Sequence, residues 1–243
     1  NSASRNPEHG GQASTRQTKV TLTETKKKLL ISASVVFVIL LIDQIIKIWI
    51  KTHFFLGESV HVFGADWFQI LFIENYGMAF GMEFAGNYGK IALSIFRIIA
   101  IGAIGWYIYY LAKKKAGIFL IVTISLIFAG AIGNIIDSAF YGLIFSESTP
   151  FDKAVLFPDM GGYSTFLHGK VVDMVFFPLF TVQLPSWFPF WGGQPFTFFE
   201  PVFNIADATI TVGVFILLIF QKRLFYFESS IKENPDNQQP QGK

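Results

Sequence analysis

Four long apolar runs dominate the pattern along the chain. Residues 29–50 read LLISASVVFVILLIDQIIKIWI and residues 91–111 read IALSIFRIIAIGAIGWYIYYL. Residues 118–136 read IFLIVTISLIFAGAIGNII and residues 202–220 read VFNIADATITVGVFILLIF. Each is close to the roughly 20 residues that span about 30 Å of hydrocarbon. Backbone groups in lipid must pair within their own segment, so all four runs are predicted as helices. The predicted fold class is an all-α polytopic membrane protein with four transmembrane helices. Residues 1–25 and 229–243 are polar, without apolar periodicity, and are expected to be disordered tails flanking a membrane domain at 26–228. Residues 54–80 carry short alternating segments (VHVFGADWFQILFIEN) broken by Gly, which predicts a small β-containing region between helices 1 and 2. The connection at 137–201 is too long for a bare loop and is expected to be a structured insertion between helices 3 and 4. Its last part, residues 176–199, is crowded with Phe and Trp and broken by prolines. Two readings stand there: an aromatic belt at the membrane surface, or a lid or docking surface for a lipidated partner.

Composition agrees with a membrane protein. Only 15% of the 243 residues are charged, against about 25% in soluble domains. The absence of cysteine excludes disulfides, thiolate metal sites and a Cys nucleophile. A net charge of +2 is too small for nucleic-acid binding, which wants a concentrated basic face. Where the charges lie is more informative. Lys26–Lys28, Lys113–Lys115 and the Lys222/Arg223 pair all fall on one side of a four-span chain. That side is predicted to be cytoplasmic, with both termini inside and the connections 51–90 and 137–201 outside. The first run is too long for a signal-peptide core and is not followed by a small-x-small cleavage site, so an uncleaved span is expected.

An ionisable side chain inside a span is costly and marks a candidate functional site. Asp43 and Lys47, at i, i+4 in the first run, predict an ion pair on one helix face. Arg97 in the second run either snorkels outward or turns into the bundle. The third run ends in Gly130-Ala131-Ile132-Gly133-Asn134-Ile135-Ile136-Asp137, and the fourth opens with Phe203-Asn204-Ile205-Ala206-Asp207. Taken singly, these are helix caps or interhelical hydrogen bonds. Between them, Asp173 stands in the apolar stretch 171–176. The topology places Asp137, Asp173 and Asp207 at one depth on one side of the membrane. Two carboxylates in a dry site cannot both ionise cheaply, so one keeps its proton. Such a pair can activate water with one member and protonate a carbonyl with the other. No nucleophile elbow surrounds Ser164, His61 and His168 are isolated, and no HExxH, Walker loop or dinucleotide fingerprint occurs.

Five motifs in order carry a resemblance: Asp43-x-x-x-Lys47, Asn75-x-Gly77-x-Ala79-Phe80, Gly133-Asn134-x-x-Asp137, Val172-Asp173 and Phe203-Asn204-x-Ala206-Asp207. Together they resemble the lipoprotein signal peptidase, or type II signal peptidase, family from about residue 29 to 220. The resemblance implies four membrane helices and an extracytoplasmic aspartic endopeptidase. The implied reaction removes the signal peptide of a diacylglyceryl-modified prolipoprotein, cutting before the lipidated cysteine. By motif position the catalytic pair falls on Asp173 and Asp207. Asn134, Asp137 and Asn204 fall in a supporting role, Asn75 and Gly77 on the substrate side, and Asp43 and Lys47 in the first-helix motif. No metal or organic cofactor is implied. The enzyme is expected to work as a monomer among membrane lipid, without nucleic acid, in the bacterial inner membrane, and to be sensitive to globomycin-type cyclic peptides.

Two departures from the family pattern stand out. Ser138 occupies the position after Asp137 where the family usually has Arg, and Arg97 or Lys170 is expected to stand in for it. The stretches from Asp137 to Asp173 and from Asp173 to Asn204 are longer than in compact members. The competing readings are a transporter or proton channel, which would place polar residues at several depths, and a scaffold with structural carboxylates.

Overall fold

A computed structural model describes residues 8–76, 86–114, 116–189 and 191–232. It is mostly helical, and four of its helices are long and apolar enough to cross a membrane. Helix α1 is Glu8–His53, α2 is Gly86–Lys113, α3 is Ile118–Ile136 and α5 is Ile205–Lys232. A five-residue π turn, Asp137–Tyr141, carries α3 into a short α4, Gly142–Ile144, giving one span of 27 residues.

The helices overrun the predicted spans. Helix α1 begins at Glu8, inside the stretch 1–25 expected to be a disordered tail, and α5 runs past Ser229 to Lys232. The physical reason is propagation. Nucleation is the costly step of helix formation, and the membrane segment has already made it. Lys, Gln and Glu, eight of the 21 residues from 8 to 28, extend a helix at little cost.

The predicted β-containing region exists but recruits a strand from elsewhere. Strand β1 (Ser59–His61) pairs antiparallel with β2 (Gln69–Asn75), and β2 pairs antiparallel with β3 (Val171–Phe176) from the second connection. A bulge falls between Ile70 and Ile73 on β2. A separate hairpin, β4 (Phe180–Gln183) with β5 (Pro195–Phe198), fills the aromatic stretch.

Two packing clusters fix the frame. One joins Ile108, Leu111 and Ala112 of α2 to Leu120, Ile121 and Ile124 of α3. The other packs Ile50 and Phe54, at the end of α1, against Phe72 of β2, Tyr141 and Phe145 beyond α3, and Val172 and Met174 of β3. This second cluster seats the sheet on the helix ends. The loop after α4 satisfies carbonyls of the π turn and of α4. Gly169 N–H donates to the Ser138 carbonyl at 2.8 Å and Ser164 N–H to that of Gly142 at 2.8 Å. Finally, Val175 and Phe203 exchange backbone hydrogen bonds of 2.8 and 3.0 Å. That bridge pins the entry to α5 beside β3.

Candidate active site

The Val175–Phe203 bridge brings a strand carboxylate and a helix carboxylate together. Asp173 lies on β3 opposite Ile73, and Asn75 lies opposite Val171, so Asn75 and Asp173 share a sheet face as diagonal neighbours. The Asn75 amide donates to Asp173 Oδ2. Asn204 immediately precedes α5. Its Oδ1 accepts the Asp207 N–H at 2.8 Å, the bond a helix N-cap makes to its third residue. The same cap therefore fixes where Asp207 sits in the first turn.

The Asn204 amide donates to Asp173 Oδ1 at 2.7 Å, Asn134 Oδ1 at 3.1 Å and the Val172 carbonyl at 3.3 Å. Asn134 passes the connection on, donating from Nδ2 to Asp207 Oδ1 at 2.7 Å. Asp173 and Asp207 are thus the ends of one chain of amide hydrogen bonds. Asp173 is 3% exposed, and burial, then the nearby Asp207 charge, pushes its carboxyl up to about 8. Buried carboxylates beside like charge hold protons in this way.

Behind the pair lies a fully buried charge cluster. Lys47 Nζ reaches Asp43 Oδ2 at 3.0 Å, Asp137 Oδ2 at 2.8 Å and Asn134 Oδ1 at 3.1 Å. The expected Asp43–Lys47 pair is present, and Asp137 completes it across helices. Gln44 donates to Asp137 Oδ1 at 3.0 Å and Asp43 Oδ2 at 3.1 Å, and accepts from the Tyr141 hydroxyl at 3.1 Å. Asp43 Oδ1 accepts the Ala206 N–H at 3.0 Å. Asp137 Oδ2 also accepts the Val172 N–H, next to Asp173, at 3.3 Å. The cluster therefore grips both backbone segments that carry the pair.

Gly130 and Gly133 permit this approach. A Cβ on Gly130 would lie 2.2 Å from the Ala206 carbonyl, and one on Gly133 would lie 2.9 Å from Asp43 Oδ2.

Asn75, Asn134, Asp137, Asp173, Asn204, Asp207, Asp43 and Lys47 all converge here. Gly77, with Ala79 and Phe80 of the same motif, lies outside the described residues. Gln44 and Tyr141 are the members that the sequence reading missed. Their only signal was a polar side chain in an otherwise apolar run. Ser138 is buried, its hydroxyl donating to the Asn134 carbonyl at 3.1 Å. Of the two cations expected to replace the usual Arg, Arg97 is half-buried on α2. Lys170 instead pairs with Glu147 at 3.1 Å and approaches Glu74 at 3.9 Å. A second buried cluster, Lys51 with Glu74 and Ser148, backs the opposite face of β2. His61 pairs with exposed Asp66 at 3.1 Å, remote from this chemistry. Among the described residues, no group of three or more His, Asp or Glu is arranged to hold a metal ion.

The family model for signal peptidase (SPase) II matches residues 35–223. The lipoprotein signal peptidase of Porphyromonas gingivalis is 51% identical over 195 residues, covering 79% of this chain and 82% of that protein. That of Amoebophilus asiaticus is 38% identical over 185 residues, covering 75% and 73%. A solved bacterial membrane enzyme is 28% identical, with a TM-score of 0.48, covering 80% of this chain and 91% of that one. With a family match that runs from within α1 into α5 and takes in every polar motif from Asp43 to Asp207, the chain belongs to the signal peptidase II family, and its function is that of a membrane signal peptidase.

Proposed function

We propose that Asp173 and Asp207 are the catalytic pair of this signal peptidase and that it cuts diacylglyceryl-modified prolipoproteins before the lipidated cysteine. The observation that carries the assignment is the meeting of two carboxylates, one from a strand and one from a helix, at the two ends of the Asn204–Asn134 amide relay. The pair works with one proton between its members. Burial in particular favours the protonated form of Asp173. The ionised carboxylate takes a proton from water, and the water oxygen bonds to the scissile carbonyl carbon. The carboxylic acid gives its proton to the carbonyl oxygen, forming a neutral tetrahedral intermediate. Collapse breaks the C–N bond as the proton gained from water goes to the leaving cysteine nitrogen, and one hydroxyl proton of the intermediate returns to the carboxylate that had given up its own, leaving a carboxylic acid product and the pair with its single proton. Asn75 and Asn204 fix both oxygens of Asp173, and the Lys47 cluster sets the position of both elements without touching substrate.

The finer topology belongs to the same proposal. Lys26–Lys28, Lys113, Lys114 and Lys222 mark the cytoplasmic ends of the spans, so both termini are inside and the site faces the extracytoplasmic side. The surrounding membrane is the bacterial inner membrane, and the enzyme acts as a monomer with no metal or organic cofactor. Labelling a Ser229→Cys variant in spheroplasts with a membrane-impermeant maleimide checks the orientation. No labelling is expected until the membrane is opened.

The deciding experiment is a gel-shift cleavage assay with lipidated and unlipidated prolipoprotein. Wild type is expected to cut only the lipidated form. Asp173→Asn and Asp207→Asn are each expected to abolish cleavage while the protein remains folded and inserted. Substantial cutting by either variant removes that residue from the pair.

A further inference from the structure

The segment between the strand of Asp173 and α5 carries chemistry that the cleavage reaction leaves unused. From Phe176 to Phe199 the chain contains no Asp, Glu, Lys, Arg or His. Hairpin β4–β5 pairs Phe180 with Phe198, Thr181 with Thr197, Val182 with Phe196 and Gln183 with Pro195. Opposed residues of an antiparallel pair share a face. One face is therefore Phe180, Val182, Phe196 and Phe198, with the Phe180 and Phe198 rings stacked at 5.1 Å. The other carries Thr181, Gln183, Pro195 and Thr197, with the two threonine hydroxyls 3.0 Å apart.

The apolar face is uncovered: its four side chains are 43–53% exposed. Trp187 and Trp191, in the turn, are 78% and 58% exposed. An isolated two-stranded hairpin is marginal in water, and a contiguous apolar patch of this kind marks an interaction surface. The surface is also continuous with the membrane region. Phe199 contacts Phe203 at 6.1 Å, just before α5, and Phe203 contacts Phe177 at 6.0 Å. Phe177 in turn stacks on Phe68 at 4.8 Å and Trp67 at 6.4 Å, beside β2.

We propose that hairpin β4–β5 lies flat on the leaflet that α5 enters, with its Phe/Val face and the turn tryptophans among the lipid headgroups and upper acyl chains. Three features make lipid the occupant. Trp187 and Trp191 beside the Phe/Val face each join an apolar ring to a polar N–H edge, the kind of side chain that collects at membrane interfaces. The patch lacks the charges that give protein interfaces their specificity. The C-terminal strand of the hairpin leads through Phe199 and Phe203 directly into α5. The inference rests on α5 crossing the membrane and not on which residues cut the substrate.

Because the chain has no cysteine, single sites for a nitroxide label can be introduced on either face. Val182→Cys reports the apolar face and Gln183→Cys the polar face. The full-length protein is reconstituted in vesicles of phosphatidylethanolamine and phosphatidylglycerol, and each variant is checked for wild-type cleavage. The label at 182 is expected to collide with oxygen several-fold more than with a water-soluble nickel chelate, and the label at 183 to show the reverse. Equal chelate access at both positions overturns the proposal. Protection at 182 that disappears at one protein per vesicle assigns the face to a second copy. Protection that appears only with added prolipoprotein assigns it to the substrate. Either result also overturns the proposal. Phe196→Cys and Thr197→Cys, on the same two faces of the other strand, repeat the test should either first variant fail to fold.

Discussion

Lys47 places one ammonium against two carboxylates and an amide oxygen with no exposed surface on any of the three charged groups. Removing one partner of a buried ion pair leaves an uncompensated charge, at a cost of roughly 3–5 kcal/mol. Lys47→Met is therefore expected to lower the thermal midpoint in detergent sharply and to abolish cleavage, because Asp43 and Asp137 then repel across α1 and α3. Asp173 gives a second expectation at this scale. Its folded-state carboxyl titrates near 8, above the usual 3.8, so the folded protein holds this proton more tightly than the unfolded chain does. The stabilisation from that proton is present at acid pH and is lost as pH rises through about 8. Cleavage requires the same proton, so initial rates should fall along a basic limb near 8, and a rate flat across that range would contradict the assignment. The charged members of the site were legible in the sequence because ionisable residues inside apolar runs are few. Gln44 and Tyr141 were not, since neither carries a charge and each has ordinary non-functional reasons to stand in a helix.

At the scale of elements, the closeness of α3 to α5 decides whether the amide relay can form. Gly130→Ala would drive a methyl into the Ala206 carbonyl, Ile210 and Thr209. Overpacking of this kind costs about 1–3 kcal/mol, and the displacement also pulls Asn134 away from Asp207. Loss of activity larger than the loss of stability is expected, read by pairing cleavage rates with thermal midpoints. Gly102→Ala is the control, as a Cβ there meets nothing within 4 Å. The alternation in residues 54–80 predicted a sheet, and β1–β2 is there. The third strand was hidden because Val171–Phe176 does not alternate. Its first four residues are all buried, and a strand buried on both faces reads as a continuous apolar run.

Over the whole molecule, the candidate site draws on α1, α3 and α5 and on one strand from each long connection. Hairpin β4–β5 forms its own two-stranded sheet, separate from the three-stranded one that holds Asp173. Replacing residues 180–198 with a short Gly/Ser turn is expected to leave the thermal midpoint of the bundle near wild type, measured by circular dichroism in detergent. The four-span plan was readable because lipid imposes one length and one backbone solution on every crossing. The lateral arrangement was not, because it depends on contacts between residues far apart in the chain. One such contact has a consequence for how the protein is made. Asp43 caps the start of α5 through the Ala206 N–H, 163 residues further along. Chains are synthesised N-terminus first, so α1 is inserted with this acceptor unfilled until almost the last helix leaves the ribosome. The Asp43–Ala206 bond is therefore among the last tertiary contacts to form, and the approach of α5 to α1 waits on it.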